Sequence, residues 1–476
     1  MRTPRILVAG LRGGDGKTLV TLALLAGWRQ QGRSVAAFKK GPDYIDPAWL
    51  GLAAGGPCRN LDLFLMPHAA ILDSVRRGAA GSATVVVEGN RGLYDGADAR
   101  GSMSSAELAK LLAAPVVLVL DASKCTRTLA ASVLGCQRLD PALALSGVIL
   151  NRLAGRRHEA VVREAITDVS GLPVLGALPR LPADPLPERH LGLVPPPEHG
   201  GGERVIEAAG VLARRHLELD QLWTLAAAAQ PLPALAGRAA SSLDRDPDAV
   251  PVRIGLFRDE AFQFYYPENL EALVREGAEL VEVSPLRDAV LPPVDAVYAG
   301  GGFPESVAAA LADNDTFRAS VRAAAAAGMP IYAECGGAVY LGQGLVLDGN
   351  RYPMAGVLPA VFGFGERPQG HGYAEVEAVA ENPFFPSGTT LRGHEFHYTF
   401  LRGPLGPGLR FAMHMRRGHG FDGTRDGLTD GGVLACYTHL HAAGTPGWAP
   451  AVVRAARSFA AAAMCTPSRA GPSWPS

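Results

Sequence analysis

The sequence predicts an α/β protein of two tandem domains, the first a doubly wound parallel sheet with helices on both faces. Three observations carry this. In residues 1–180, short runs of Val, Ile and Leu alternate with helical stretches. A Pro-rich passage and a polar linker interrupt that pattern, and a second α/β pattern starts near Val252. In both halves, Gly-rich segments directly follow predicted strands, where loops of a parallel sheet gather into a crevice.

The strand candidates of the first half are 5–10 (RILVAG), 34–38 (SVAAF), 83–89 (ATVVVEG), 115–122 (PVVLVLDA) and 147–152 (GVILNR). Such runs suit strands buried on both faces. The Pro-rich passage spans Leu181 to Pro197, one helix is expected from about Glu203 to Ala228, and residues 231–251 read as linker. In the second half the strand candidates are 252–257 (VRIGLF), 278–285 (AELVEVSP), 294–305 (VDAVYAGGGFPE) and 330–337 (PIYAECGG). The expected domains are therefore 1–200 and 251–460, with helix and linker over 201–250 and a disordered tail over 461–476.

Composition excludes several function classes. A net charge of -1, from 45 basic and 46 acidic residues, argues against coating a nucleic acid or a polybasic membrane contact. At 48% hydrophobic and 19% charged, the chain is not a disordered one. No run of apolar residues is long enough to span a bilayer, and MRTPRILVAG is too short in its apolar part for a signal peptide, so a cytoplasmic protein is expected. Six scattered cysteines without CxxC spacing fit a reducing compartment and no zinc ribbon. The basic residues are almost all arginine. The five lysines, Lys17, Lys39, Lys40, Lys110 and Lys124, all lie in the first part of the chain. A lysine kept against such a bias marks a position where a compact ammonium is needed rather than a planar fork.

Residues 10–18 (GLRGGDGKT) lie between the first strand and a helical stretch. Gly13, Gly14 and Gly16, with Asp15 between them, allow backbone N–H groups to turn toward phosphate oxygens. Lys17 would reach the β/γ phosphates and Thr18 would hold Mg²⁺. Leu11 stands where the strict GxxxxGK spacing wants glycine, so the loop resembles the deviant P-loop ATPases and the dethiobiotin-synthetase-like enzymes, with Arg12 in place of their usual lysine. Residues 39–47 (KKGPDYIDP) add Lys39, Asp43 and Asp46, and the strand at 83–89 ends in Glu88. Carboxylates at the C-terminal ends of parallel strands face the nucleotide crevice, and Thr18, Asp43 and Glu88 form an oxygen set suited to Mg²⁺. Taken singly, each is equally a solvated loop or helix-cap residue. Asn151, ending its strand, is a candidate for adenine.

The second constellation is Glu334-Cys335-Gly336-Gly337, a buried strand running straight into a helix. Small residues after the cysteine permit a tight nucleophile elbow. The helix N-terminus favours the thiolate and supplies N–H groups for an oxyanion. Gly336 is one oxyanion donor, and Gly302, in the Gly-rich strand end 300–305 (GGGFPE), is the second. His439, in 437–441 (YTHLH), is the candidate base.

Together these motifs, with FQFYYPENLEAL and GHEFHYT, resemble the cobyrinate a,c-diamide synthase family over about residues 4–460. The resemblance implies a P-loop-type, dethiobiotin-synthetase-like amidoligase domain followed by a class I glutamine amidotransferase-like, flavodoxin-like α/β domain. It implies ATP, L-glutamine and Mg²⁺. Cys335 would release ammonia from glutamine, and a corrin-type tetrapyrrole carboxylate, activated as an acyl phosphate, would accept it. The partners it implies are that small molecule, no nucleic acid and no membrane, with room for a homodimer.

The chain departs from this pattern in places. Class I glutaminases generally carry His-x-Glu, but position 441 is histidine, so the third triad member is absent from its usual place. The cobyrinate branch shows a similar lack. The stretch EGNRGLYDG, where EGVMGLYDG is usual, resembles a side branch thought to amidate sirohaem or sirohydrochlorin-type rings. Asn90 and Arg91, with Asp46 and Tyr94, are the acceptor-side candidates. Two other readings compete: a deviant P-loop ATPase switch, disfavoured by the whole second half, and a binding protein without glutaminase, disfavoured by Cys335 and His439.

Overall fold

The computed structural model describes residues 3–81, 84–182, 188–189, 192–234 and 251–465. The chain divides into two compact units, residues 1–239 and 240–476.

The first unit is built on a seven-stranded parallel sheet: β1 Arg5–Gly10, β2 Val35–Lys40, β3 Arg59–Leu61, β4 Thr84–Gly92, β5 Val116–Asp121, β6 Leu145–Leu153 and β7 Val174–Pro179. Their order is β3-β2-β4-β1-β5-β6-β7. β1 pairs in parallel with both β4 and β5, so the loop after it opens at the middle of the sheet. The α-helix α1, Lys17–Gln30, starts from that loop and is buried from Val20 to Trp28.

Two strands of this sheet escape the sequence reading. β3 is only three residues long, and β7 follows a Gly-Leu-Pro turn at the sheet edge. The single helix expected from about Glu203 to Ala228 is two, Gly202–His216 and Leu219–Ala227. Leu217 between them takes extended backbone angles and bridges to Gly176 of β7. These helices are part of the first unit's core, not an appendage before a linker. Ile206, Ala213, Leu222 and Ala226 pack with α1, Ala213 lies against Gly27, and Trp28 donates its indole N–H to the Leu219 carbonyl at 3.0 Å. Burial of Ile206 and of Leu222 contributes about 1.5–3 kcal/mol each. A short antiparallel pair, β8 Glu188–Arg189 and β9 Gly192–Leu193, lies in the Pro-rich passage. The rest of that passage's centre, most of the expected linker and Ala83 fall outside the described residues.

The second unit begins with β10 Val252–Phe257, β11 Ala278–Val283, β12 Ala296–Ala299 and β13 Ile331–Glu334, all parallel. The chain then departs from a purely parallel fold. It adds β14 Gly344–Leu347, β15 Asn350–Pro353, β16 Val361–Phe364, β17 Gly370–Ala378, β18 Thr390–His397 and β19 Thr399–Leu401. β20 Arg410–Arg417, β21 Arg425–Asp430, β22 Val433–Cys436 and β23 His439–Leu440 complete it. Ten strands form one mixed sheet, ordered β11-β10-β12-β13-β22-β21-β20-β17-β18-β23, and β15-β14-β16-β19 form a small second sheet. β13 thus lies centrally, parallel to β12 and β22. β23 returns to pair with β18, with His394 opposite His439. The closing helix Trp448–Cys465 reaches into the segment expected to be a disordered tail, and residues 466–476 fall outside the described ones. No helix among the described residues is long and apolar enough to cross a membrane.

Candidate active site

The first site forms where β1, β2 and β4 end. Gly16 caps α1 with φ 88°, and a Cβ there would lie 2.1 Å from the Asn151 amide nitrogen. Only glycine allows that approach. Asn151 uses it to donate to the Asp15 carbonyl at 2.9 Å, so its amide braces the loop. The buried Asp15 carboxylate accepts from the Arg12 N–H at 2.9 Å and fastens the loop from inside. Gly13 and Gly14 leave open space around their Cα atoms. Lys17 is 8% exposed, and burial pulls its ammonium below the usual lysine range against the opposing pull of Glu88.

Behind the loop lies a buried charge cluster. Lys39 Nζ is 2.5 Å from both Glu88 Oε1 and Asp46 Oδ2, and 3.9 Å from Asp43. Thr18 Oγ1 donates to Glu88 Oε1 at 3.0 Å. Burial and the neighbouring Asp46 push the Asp43 carboxyl up to about 7. Burial also opposes ionisation of Asp46, but Lys39 outweighs it and holds Asp46 below the usual carboxylate range. Glu88, fully buried, is raised by desolvation, and its Oε2 has no hydrogen-bond partner. Lys39 on β2, Glu88 on β4, Asp43 in the loop after β2, and Thr18 and Asp46 in the first turns of two helices therefore converge. Among the described residues, no group of three or more His, Cys, Asp or Glu is arranged to hold a metal ion by itself.

The four acceptor-side candidates divide. Asp46 belongs to the cluster. Asn90 sits at the end of β4 against Gly41, and Arg91 follows it, exposed, with φ 51°. Tyr94 turns elsewhere: its hydroxyl donates to the Cys136 carbonyl at 2.6 Å, because the neighbouring helix Arg127–Leu139 offers it an acceptor.

The second site forms at the end of β13. Cys335 has φ 48° and ψ -105°, a conformation that L residues adopt only where the surroundings impose it. Its N–H is held by the Cys436 carbonyl at 2.7 Å, and the helix Gly336–Leu341 starts at the next residue. Gly302 has φ 157°, and a Cβ on it would lie 2.0 Å from the Ala261 carbonyl, so the strand end after β12 closes in only with glycine. A Cβ on Gly336 would be 3.0 Å from the Gly302 nitrogen. The Gly302 nitrogen thus lies beside Gly336, the residue that follows Cys335.

His439, 2% exposed, completes the group. Burial alone would lower its pKa. Cys335 and the Glu334 carboxylate both favour the protonated ring, outweigh burial and push the imidazole up to about 10. Its ring stacks on His394, with centroids 4.9 Å apart. Burial, then the nearby His439, His441 and His371, hold His394 well below the usual histidine range. An imidazole that holds a proton readily, beside a cysteine sulfur at the end of a strand, is the environment of a nucleophilic cysteine.

Comparison with known proteins follows the same division. Residues 6–194 match the CobQ/CobB/MinD/ParA nucleotide binding domain family, and residues 253–446 match the CobB/CobQ-like glutamine amidotransferase domain family. A cobyrinate a,c-diamide synthase of Magnetococcus marinus is 44% identical over 95% of this chain and 97% of its own length. Those of Syntrophotalea carbinolica and Archaeoglobus fulgidus are 42% and 38% identical, over 95% and 93% of this chain and 98% and 95% of theirs.

The chain belongs to the cobyrinate a,c-diamide synthase family.

As a member of that family it is an ATP-dependent ligase that uses glutamine as amido donor. Its two sites correspond to the two matched domains: the phosphate loop lies in the nucleotide-binding half and the Cys335 elbow in the amidotransferase half. The sequence reading names no role for Glu334, Tyr298, Tyr332 or His394, yet all four surround His439 or its neighbour. For Glu334 a signal existed. A carboxylate ending the apolar strand IYAE must be buried, and a buried carboxylate needs a partner. For His394 the register of β18 against β23 supplies the proximity, and no local sequence pattern announces it.

Proposed function

We propose that this chain converts the a and c acetate carboxylates of a corrin-type tetrapyrrole, cobyrinate or hydrogenobyrinate, to amides at the expense of ATP and glutamine. The observation that carries this is similarity over 93–95% of the chain to cobyrinate a,c-diamide synthases, at 38–44% identity, together with the Cys335 elbow.

In the glutaminase half, the Cys335 sulfur attacks the side-chain amide carbon of glutamine. The Gly302 and Gly336 N–H groups receive the developing oxyanion. His439 passes a proton to the departing nitrogen, ammonia leaves, and water hydrolyses the thioester to glutamate. In the first half, an acceptor carboxylate oxygen takes the γ-phosphoryl group of ATP, and ammonia then displaces phosphate from the acyl phosphate. Lys17 and the loop amides neutralise charge on the transferring group. The acid cluster fits Mg²⁺: the buried Glu88 has an oxygen without a hydrogen-bond partner, and its other oxygen meets the Thr18 hydroxyl. Thr18, Asp43 and Glu88 would hold the ion, which when bound supplies charge neutralisation at the β and γ phosphates. Asp46, Asn90 and Arg91 lie on the side proposed for the acceptor.

A second reading, the same chemistry on sirohaem or a sirohydrochlorin-type ring, rests on the Asn90-Arg91 pair at the end of β4. One experiment separates the two. The protein is incubated with ATP, Mg²⁺ and glutamine, and offered cobyrinic acid, hydrogenobyrinic acid or sirohaem separately. Mass spectrometry of the ring reads each replacement of a carboxyl OH by NH₂. Two successive replacements on a corrin are expected, and amidation of sirohaem alone would overturn the corrin assignment.

A further inference from the structure

His439 lacks a carboxylate two residues downstream, where position 441 is histidine, but it does not lack a carboxylate. Glu334 Oε2 lies 3.6 Å from His439 Nδ1, slightly longer than a formed hydrogen bond and within ion-pair reach. With Nδ1 directed at Glu334, Nε2 is the ring nitrogen left for the Cys335 thiol.

The Glu334 carboxylate is built into the sheet. It is fully buried. Oε1 accepts from the Tyr332 hydroxyl and from the Leu440 N–H, both at 3.0 Å, and Oε2 accepts from the Tyr298 hydroxyl at 3.0 Å. Strand geometry explains the cage. Tyr332 and Glu334 are two residues apart on β13 and so share a face, and Tyr298 is the register partner of Tyr332 on β12. Burial first, and then the Glu334 charge, hold both phenols well above their usual range, so they remain O–H donors. The Leu440 N–H ties the same carboxylate to the segment that carries His439. A buried carboxylate with three donors and one oxygen facing an imidazole is fixed in place before any substrate arrives.

We propose that Glu334, the residue immediately before the nucleophile, is the positioning carboxylate of the glutaminase, occupying from β13 the role left open by histidine at position 441. It holds the His439 ring with Nε2 toward Cys335 and stabilises the imidazolium formed when the thiol proton is taken. No bond to glutamine is made by Glu334 itself. Facing His439 are Cys335 and Glu334 from the elbow, and His394 from β18, stacked on the ring. His441 lies on the same segment and is paired at 3.7 Å with Glu268. Glu334 is thus the carboxylate paired with the catalytic imidazole.

The inference rests on the Cys335–His439 reading, and the test keeps the two apart. Glutamine hydrolysis and ammonia-driven, ATP-dependent amidation are measured in the whole protein for Glu334→Gln, Glu334→Asp and Cys335→Ala. Glu334→Gln keeps size and removes charge. Its glutamine-dependent kcat is expected to fall about 100-fold or more, with the glutamine KM changed far less. Ammonia-driven amidation, the folding control, stays at the wild-type level. The pH profile adds a readout that a merely structural carboxylate would not move. Glu334 favours the protonated imidazole, so removing its charge lowers the His439 pKa, and the alkaline limb of glutaminase kcat/KM moves to lower pH. Glu334→Asp, which withdraws the charge by one methylene, is expected to lose less and to shift the limb less. Glutaminase with unchanged kcat and unchanged alkaline limb in Glu334→Gln overturns the proposal. If that variant does not fold, a fully active Glu334→Asp overturns it. Glutaminase that survives Cys335→Ala sinks the site reading itself, and Glu334 with it.

Discussion

Two glutamates at the ends of parallel strands, Glu88 on β4 and Glu334 following Tyr332 on β13, are both fully buried, yet their surroundings are opposite in kind. Glu88 shares the Lys39 ammonium with Asp46 and Asp43, and keeps an oxygen without a hydrogen-bond partner. Glu334 is enclosed by two phenols, a backbone amide and an imidazole. The first arrangement balances charge with a flexible side chain and leaves an acceptor over, which suits a site whose substrate brings polyanion and cation with it. The second saturates a carboxylate with rigid donors, which suits a site whose geometry must exist before the substrate enters. The lysine distribution follows the same line. Lys17 and Lys39, the lysines proposed for phosphate chemistry, lie in the first unit, and the amidotransferase half contains no lysine.

This contrast can be broken or sharpened by substitution. The largest effect is expected from Cys335→Ala, which should abolish glutamine-dependent amidation and spare the reaction driven by free ammonia and ATP. Equal loss with both nitrogen donors would show that the two sites do not work separately. Lys17→Arg should come next. ATP-dependent amidation should drop steeply, because the guanidinium fork does not fit where a buried ammonium approaches the loop, while glutamine hydrolysis survives. A fully active variant would remove the special role of that lysine. Lys39→Met should act on stability as well as chemistry. It leaves Asp46 and Glu88 buried without their shared cation, and a cost of about 3–5 kcal/mol to the first unit is expected in urea unfolding. An unchanged midpoint would mean that the cluster takes up water or protons at little cost. The smallest effect is expected from Asp220→Asn. Asp220 pairs with Arg33 at 2.5 Å but is 82% exposed, so thermal unfolding should be unmoved.

Much of the two sites was legible because local rules govern them. A phosphate loop needs Gly13, Gly14 and Gly16 between strand and helix, and an elbow needs small residues after Cys335. The short buried runs of the parallel strands were equally legible. Other features were decided by partners distant in sequence. The amphipathic segment 202–227 reads as one helix, but Leu217 leaves helical geometry to meet β7, and only packing on α1 makes it core. Strand β17, Gly370–Ala378, carries a period-two pattern, but the insertion of β17, β18, β20 and β21 between β13 and β23 in sheet order has no local mark. Tyr94 looked like an acceptor-side residue from its motif, and a helix carbonyl took its hydroxyl instead.

By itself, then, the sequence singled out the candidate residues: the loop lysine, the strand-end carboxylates, the thiol and the imidazole. Each of these is announced by its neighbours along the chain, since a tight turn or a strand end constrains residues within a few positions. Tertiary structure alone decided which charge meets which. Glu334 and His439 lie 105 residues apart and become partners only because β22 pairs with β13, and because the Leu440 N–H after the next turn donates back to the Glu334 carboxylate. Pairing of buried charges is a matter of a few ångströms in a low-dielectric interior, and that distance is set by sheet order rather than by any local run of residues.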